Sequence, residues 1–253
     1  MASENKKILL TGATGFIGGS ILSHLLNSPE ATIKNAQISC LLRGADRAEK
    51  LSSAYGDRVQ PILYEGNDDL DTIVAIAAQH DIVINATMGF HSPSAEALVK
   101  GLAKRQAATD RGVWIIHTSG VSNIGDKPIT NPGLPVRIFD DSADDIYGHQ
   151  KTLENEQPYA QRTAELGVID TGLALGVNTL SIISPTIYGP GTGLFNQTSA
   201  HSRRRFPSKP LSTGRRLSSS GMARASTATS SFQTWWNCTS SCCSTSLTAT
   251  ARA

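Results

Sequence analysis

The sequence predicts an α/β fold, a doubly wound parallel sheet, and three observations carry that prediction. From residue 6 to about 190, short apolar runs of strand length alternate with longer segments whose apolar residues recur at helical spacing. The short runs are almost continuously apolar, as strands covered on both faces must be. A glycine-rich turn joins the first run to the first helical segment.

Residues 7–10 form the first buried strand. Phe16, Ile17, Ile21, Leu22 and Leu25 mark a helix over 16–26. Residues 37–42 are the second strand, 45–55 a helix, 59–63 a strand and 70–78 a helix. A strand at 81–85, a helix at 95–110 and a strand at 113–118 follow. A Pro/Gly/Asn-rich loop at 125–135 leads to a long helical region within 140–175, and residues 179–184 form the last strand.

Composition narrows the function classes. A chain of 253 residues with 39% hydrophobic content holds one large α/β domain, with or without a small second one. The net charge of +2 makes no case for nucleic acid or a membrane as partner. Three of the four cysteines, Cys238, Cys242 and Cys243, crowd near the C-terminus, which is not a disulfide framework. The run Ile8-Leu9-Leu10 is too short for a signal peptide core, and no segment reaches transmembrane length. A soluble cytoplasmic protein acting on a small molecule is expected, with no metal site.

Gly12, Gly15 and Gly18 form G-x-x-G-x-x-G directly after a strand and opening a helix. The first glycine permits the tight turn, the next lets the backbone approach a pyrophosphate, and the last lets helix and strand pack closely. The helix N-terminus offers free N–H groups and the positive end of its dipole to the phosphates. This is the Rossmann arrangement, and it assigns the loop to a dinucleotide, with Thr14, Phe16 and Ile17 alongside. Arg43, at the end of the second strand with Arg47 four residues on, is placed to accept the 2′-phosphate of NADP. NAD is the alternative, with Arg43 then an ordinary solvated arginine.

Four segments in order resemble the extended short-chain dehydrogenases/reductases, the NAD-dependent epimerase/dehydratase family, and most of all its fungal-type members. They are Thr11-Gly12-Ala13-Thr14-Gly15-Phe16-Ile17-Gly18, Asn85-Ala86-Thr87, His117-Thr118-Ser119-Gly120 and Ser184-Pro185-Thr186-Ile187-Tyr188-Gly189-Pro190-Gly191. The resemblance covers about residues 6–198. It implies that Asn85, Ala86 and Thr87 flank the cofactor and that Pro185 lines its nicotinamide end. It further implies that Ser119 polarises a substrate carbonyl, that Tyr147 is the general acid/base, and that Lys151 lowers the tyrosine pKa and holds the nicotinamide ribose. Tyr147 and Lys151 stand one helical turn apart. Their place in the chain departs from the family. Lys151 lies well over thirty residues before Pro185, where the family's lysine precedes that proline by somewhat over twenty; Arg162 stands near the usual distance. Either the helix carries an insertion, or the pair is a chance match and the chain resembles atypical members without it.

Beyond about Ala200 the sequence turns Ser/Thr/Arg-rich and loses all period. Reading the message from the third base of each codon restores the family pattern. Residues 221–229 can then be read as DGKGVYGHV and 234–243 as LVELYELLL, an amphipathic helix. The expectation is a one-base frameshift near Ala200. Residues 1–198 would be the dinucleotide-binding domain with a truncated C-terminal substrate lobe, and 199–253 an out-of-frame, disordered tail. The three clustered cysteines are then not a metal site, and Arg203-Arg204-Arg205 is not a nucleic-acid arm. Transcript sequencing across codons 190–210 checks this; an intact message in the present frame from several isolates would sink it. The function expected is an NADP(H)-dependent reductase, dehydrogenase or epimerase for a carbonyl or secondary alcohol. The alternatives are a redox-sensing protein that binds NADP without turning it over, and a defective truncated product.

Overall fold

The computed structural model describes residues 5–125 and 137–197. The expected tail at 199–253, with its cysteines and arginine run, and most of the 125–135 loop lie outside the described residues. Six parallel strands, β1 (Lys7–Thr11), β2 (Gln37–Leu42), β3 (Val59–Leu63), β4 (Ile82–Asn85), β5 (Trp114–Gly120) and β6 (Asn178–Ser184), form one sheet in the order β3-β2-β1-β4-β5-β6. The helices are α1 (Phe16–Leu26), α2 (Ala31–Lys34), α3 (Ala45–Tyr55), α4 (Leu70–Ala77), α5 (Ser92–Thr109), α6 (Ile146–Glu156) and α7 (Ala160–Leu175). The doubly wound parallel sheet read from the sequence is therefore the fold.

The side-chain period of a strand explains why helices sit on both faces. In β1, Ile8 and Leu10 enter one core with Ile21, Leu22 and Leu25 of α1 and Leu51 of α3. Leu9, between them, enters the other core with Ala77 of α4, Leu98 of α5 and Val168 of α7. All three β1 side chains are fully buried, each worth about 2 kcal/mol relative to exposure. The chain winds outward from β1 to β3, returns to β4, and winds the other way. The switch point lies between β1 and β4, and strand C-termini diverge there to leave a crevice.

Several boundaries differ from the expected ones for identifiable reasons. The helical region expected within 140–175 is two helices. Pro158 disfavours helical backbone at the residue before it, and Gln157 is extended at φ −150 and ψ 100. Helix α5 starts three residues earlier than its apolar pattern, because the His91 ring accepts from Ser94 N at 3.2 Å and Pro93 suits a first turn. Helix α7 stops at Gly176, which takes the left-handed conformation at φ 69.

At the opposite end of the sheet from the crevice, Asp81 is fully buried and compensated. It accepts from Lys7 N at 3.0 Å and forms an ion pair with Arg105 of α5 at 2.9 Å. No helix among the described residues is long and apolar enough to cross a membrane.

Candidate functional site

The loop between β1 and α1 is shaped by backbone sterics. Gly12 sits at φ 73, where side chains are strained, and a Cβ there would overlap the Ala86 carbonyl beyond β4. A Cβ on Gly18 would overlap the Gly12 carbonyl, so only glycine lets α1 begin this close to the loop. Gly15 N donates to Gly12 O at 2.9 Å, and Gly15 caps α1 in extended conformation. The segment after β6 closes over this corner. Asn196 Nδ2 donates to Thr14 O at 2.7 Å and Thr192 N to Ser20 Oγ at 3.1 Å.

A cleft of about 480 Å³ opens at the switch point. Its walls are residues 15–17 of the loop, 86–90 after β4, 118–120 at the end of β5, 184–187 at the end of β6, and Gln161 from α7. Phe16, Ile17, Ala86, Thr87, Ser119 and Pro185 of the expected site therefore meet at one cleft. Asn85 does not face it. It is buried, its Oδ1 accepting from Thr11 Oγ1 at 2.8 Å and Thr87 Oγ1 at 2.7 Å, and its Nδ2 lying 3.1 Å from His117 Nδ1. It staples β1, β4 and β5 together and positions Thr87. Arg43 is exposed immediately after β2, with Arg47 on the first turn of α3. Since β2 pairs with β1, Arg43 stands beside the loop, at the end away from Ser119.

These residues fit a dinucleotide. Gly12 and Gly18 let the backbone turn tightly against the Ala86 and Gly12 carbonyls, and that turn brings Gly15 and the N-terminus of α1 to the cleft wall, where a phosphate can meet free N–H groups. On the cleft wall, Thr118 Oγ1 is buried with no partner among the described residues, which suits a polar ligand group.

The Ser119 end of the cleft holds a buried carboxylate that sequence reading missed. Glu165 of α7 is 1% exposed and accepts from four neutral donors: Ser119 Oγ at 2.6 Å, Asn123 Nδ2 at 2.5 Å, Ser181 Oγ at 2.8 Å and Gln150 Nε2 at 3.2 Å. Four donors match the capacity of an ionised carboxyl group. The single Ser119 proton is therefore engaged by Glu165, and Asn123 Nδ2 donates to Ser119 Oγ at 2.9 Å. Next to them His117 is buried, and desolvation pushes its pKa down to about 4, against the pull of the Glu165 charge. Its Nε2 has no partner among the described residues.

Tyr147 and Lys151 are brought together, but away from the cleft. Both bond Asp170 at 2.5 Å, on the outer face of the α6/α7 pair. Asp170 is nine residues along α7 from Gln161, about 13 Å of helix. The Asp170 hydrogen bond raises the Tyr147 phenol pKa, more than Lys151 lowers it, and it raises the Lys151 pKa as well. A working acid/base tyrosine needs the opposite shift. Arg162 is buried in a structural role, binding Glu154 Oε2 at 2.9 Å and the carbonyls of Asn123, Leu153 and Gln157. The sequence held one signal for these missed residues. On α7, Gln161, Glu165 and Val168 recur at helical spacing, placing Gln161 and Glu165 on the stripe that faces the sheet.

Known proteins agree with the first half of this arrangement. Residues 8–113 match the family model of the saccharopine dehydrogenase NADP-binding domain, which supports NADP as the dinucleotide. An oxidase, ucsJ, of Acremonium sp is 34% identical over 197 residues, covering 75% of this chain and 52% of its own. The nonribosomal peptide synthetase acrB of Aspergillus aculeatus is 25% identical over 150 residues, 54% of this chain and 10% of that protein. The chain thus spans about half the length of the first of these relatives and a tenth of the second. Among solved structures, a reductase engineered to attenuate substrate inhibition aligns with a TM-score of 0.53 at 15% identity, covering 79% of this chain and 66% of its own, which shows the shared fold.

Proposed function

We propose that the chain binds NADP(H) across the β1/β4 crevice and serves an oxidoreductase that interconverts a carbonyl and a secondary alcohol on a small molecule. The observation that carries this is the glycine cradle at Gly12 and Gly18, built against the carbonyl ends of β1 and β4. The resemblance of four segments to the extended short-chain dehydrogenases/reductases supports the same reading, which takes in reductases, dehydrogenases and epimerases. When bound, the nicotinamide supplies or receives hydride. The chain would hold the pyrophosphate on the 12–18 loop, the 2′-phosphate on Arg43, and the nicotinamide end against Ile17 and Pro185. Ser119, fixed by Glu165 and Asn123, would border the reacting carbon.

Fluorescence titration of the full chain with NADPH and NADH tests this reading. NADPH is expected to bind at least about tenfold more tightly, and Arg43→Ala to remove most of that preference, since a charge-assisted contact is worth about 1.5–3 kcal/mol. Equal affinity of the wild type for both dinucleotides would overturn the NADP assignment.

One observation favours a second reading, in which NADP is bound and sensed but not turned over. Ser119 has no proton to donate outward, and neither Tyr147 nor Lys151 lines the cleft. Consumption of NADPH with any carbonyl compound decides for the enzyme; tight binding with no consumption across aldehydes and ketones decides for the sensor.

A further inference from the structure

We propose that Gln161 is the specificity-determining donor of this cleft, and that it selects a neutral, apolar carbonyl compound. The proposal rests on the dinucleotide cleft described above and deepens it by naming the substrate class.

A ligand carbonyl needs an N–H or O–H directed at its oxygen. Ser119 Oγ donates to Glu165, and Thr87 Oγ1 donates to Asn85 Oδ1. Gln161 differs from both. Its Oε1 accepts from Ser122 Oγ at 2.7 Å, and Ser122 in turn accepts from Tyr159 OH at 3.4 Å. With Oε1 engaged by Ser122, the Nε2 hydrogens are left for the cleft. The amide lies across Gly120 and faces Gly89. A Cβ on Gly120 would stand 2.8 Å from Nε2 and 3.0 Å from Oε1, and one on Gly89 would stand 3.8 Å from Nε2. Two side-chain-free residues thus make room for the carboxamide at the cleft. Gln161 is the second residue of α7, so the helix fixes its backbone at the cleft mouth.

The rest of the lining sets the chemistry of what enters. No Asp, Glu, Lys or Arg lines the cleft among the described residues. Met88 and Phe90 are large, apolar and 72% and 47% exposed at its rim, and Phe90 meets Tyr159 edge-on at 6.2 Å. Exposed apolar side chains around a cleft whose described polar side chains are all neutral suit a ligand with an apolar body and a carbonyl oxygen. A carboxylate would enter without a counter-charge and be disfavoured.

The test uses the full chain, both without dinucleotide and loaded with NADP⁺, which binds an aldehyde without reducing it; the charge selectivity is read without dinucleotide, because the oxidised nicotinamide ring is itself cationic. Para-tolualdehyde and its anionic counterpart para-carboxybenzaldehyde are titrated by thermal shift, and NADPH consumption is measured separately. Para-tolualdehyde is expected to bind at least about tenfold more tightly than the anion. Gln161→Ala should lower its affinity about tenfold with NADP⁺ affinity unchanged. Gln161→Glu, which keeps the size and the Ser122 bond, should lower it at least as much. Equal binding of the two aldehydes, or unchanged affinity in both variants, would overturn the proposal. Selective binding lost in the variants without NADPH consumption would uphold Gln161 and defeat the turnover reading. Consumption that ignores both substitutions would do the reverse.

Discussion

The two ends of the crevice are built from different materials. The phosphate end is backbone: Gly12, Gly15 and Gly18 act by lacking a side chain, and a carbonyl packs where each Cβ at Gly12 and Gly18 would be. The Ser119 end is side chain: Ser119, Glu165, Asn123, Ser181 and Gln150 come from five elements, β5, the 3-10 turn Val121–Asn123, α6, α7 and β6, and satisfy one another. A backbone site is specified by a local string of residues. A side-chain site is specified only when the elements have met, so its members can be exchanged without leaving a local trace.

The strongest way to break that comparison is to add one methyl group at the backbone end. Gly18→Ala should weaken NADPH binding by at least about a thousandfold, or prevent folding, because the Gly12 carbonyl cannot retreat without opening the β1–α1 turn. Titration with circular dichroism as a fold control measures this. Tight binding in the variant would show that the loop is less constrained than its packing indicates.

The second test addresses the buried polar cluster. The folded pKa of His117, about 4, lies below its ordinary value of 6.5, so the unfolded chain binds the proton more readily. The stability that neutral His117 contributes is fully present above pH 6.5 and is lost as pH falls toward about 4. The shift corresponds to a loss of about 3 kcal/mol. His80, also lowered by burial, acts in the same direction. Unfolding midpoints measured across this range should fall with acid and flatten in His117→Gln; an identical acid slope in the variant would remove His117 as the cause.

The smallest effect is expected at the pair first read as catalytic. Tyr147→Phe removes a bond to Asp170 on the surface, some 13 Å of helix from Gln161, and should change stability by less than about 0.5 kcal/mol. NADPH consumption should change less than about twofold if Ser119 and Gln161 border the reaction, since a surface hydroxyl contributes little to a distant transition state. Loss of turnover would instead restore Tyr147 as the acid/base group.

What the sequence made legible follows the same division. The strands were readable because double burial makes their apolar runs continuous, and α1, β2, α3 and β3 fall at the expected residues. The glycine loop was readable because its strand–turn–helix context is local. The Asp170 pairing was not, because Tyr147-Gly148-His149-Gln150-Lys151 carries helical spacing whichever way the helix turns. Glu165 was hidden for another reason. An acidic residue in an amphipathic helix reads as solvated until its four donors, spread from Ser119 to Ser181, are brought to it. Pro158 carries the local signal for the break between α6 and α7, with apolar residues at helical spacing on either side of it.

The Asp81 carboxylate has a consequence for how the molecule comes apart. It joins the first residue of β1 to Arg105 near the end of α5, so strands and helices almost a hundred residues apart share one buried charge. Peeling α5 away leaves that charge unpaired in an apolar setting, and peeling β1 away costs it a backbone donor. Residues 7–109 should therefore open as one cooperative unit, with the slowest-exchanging amides in β1 and β4. The half of the chain that holds the dinucleotide is thus latched at the end the ligand never touches.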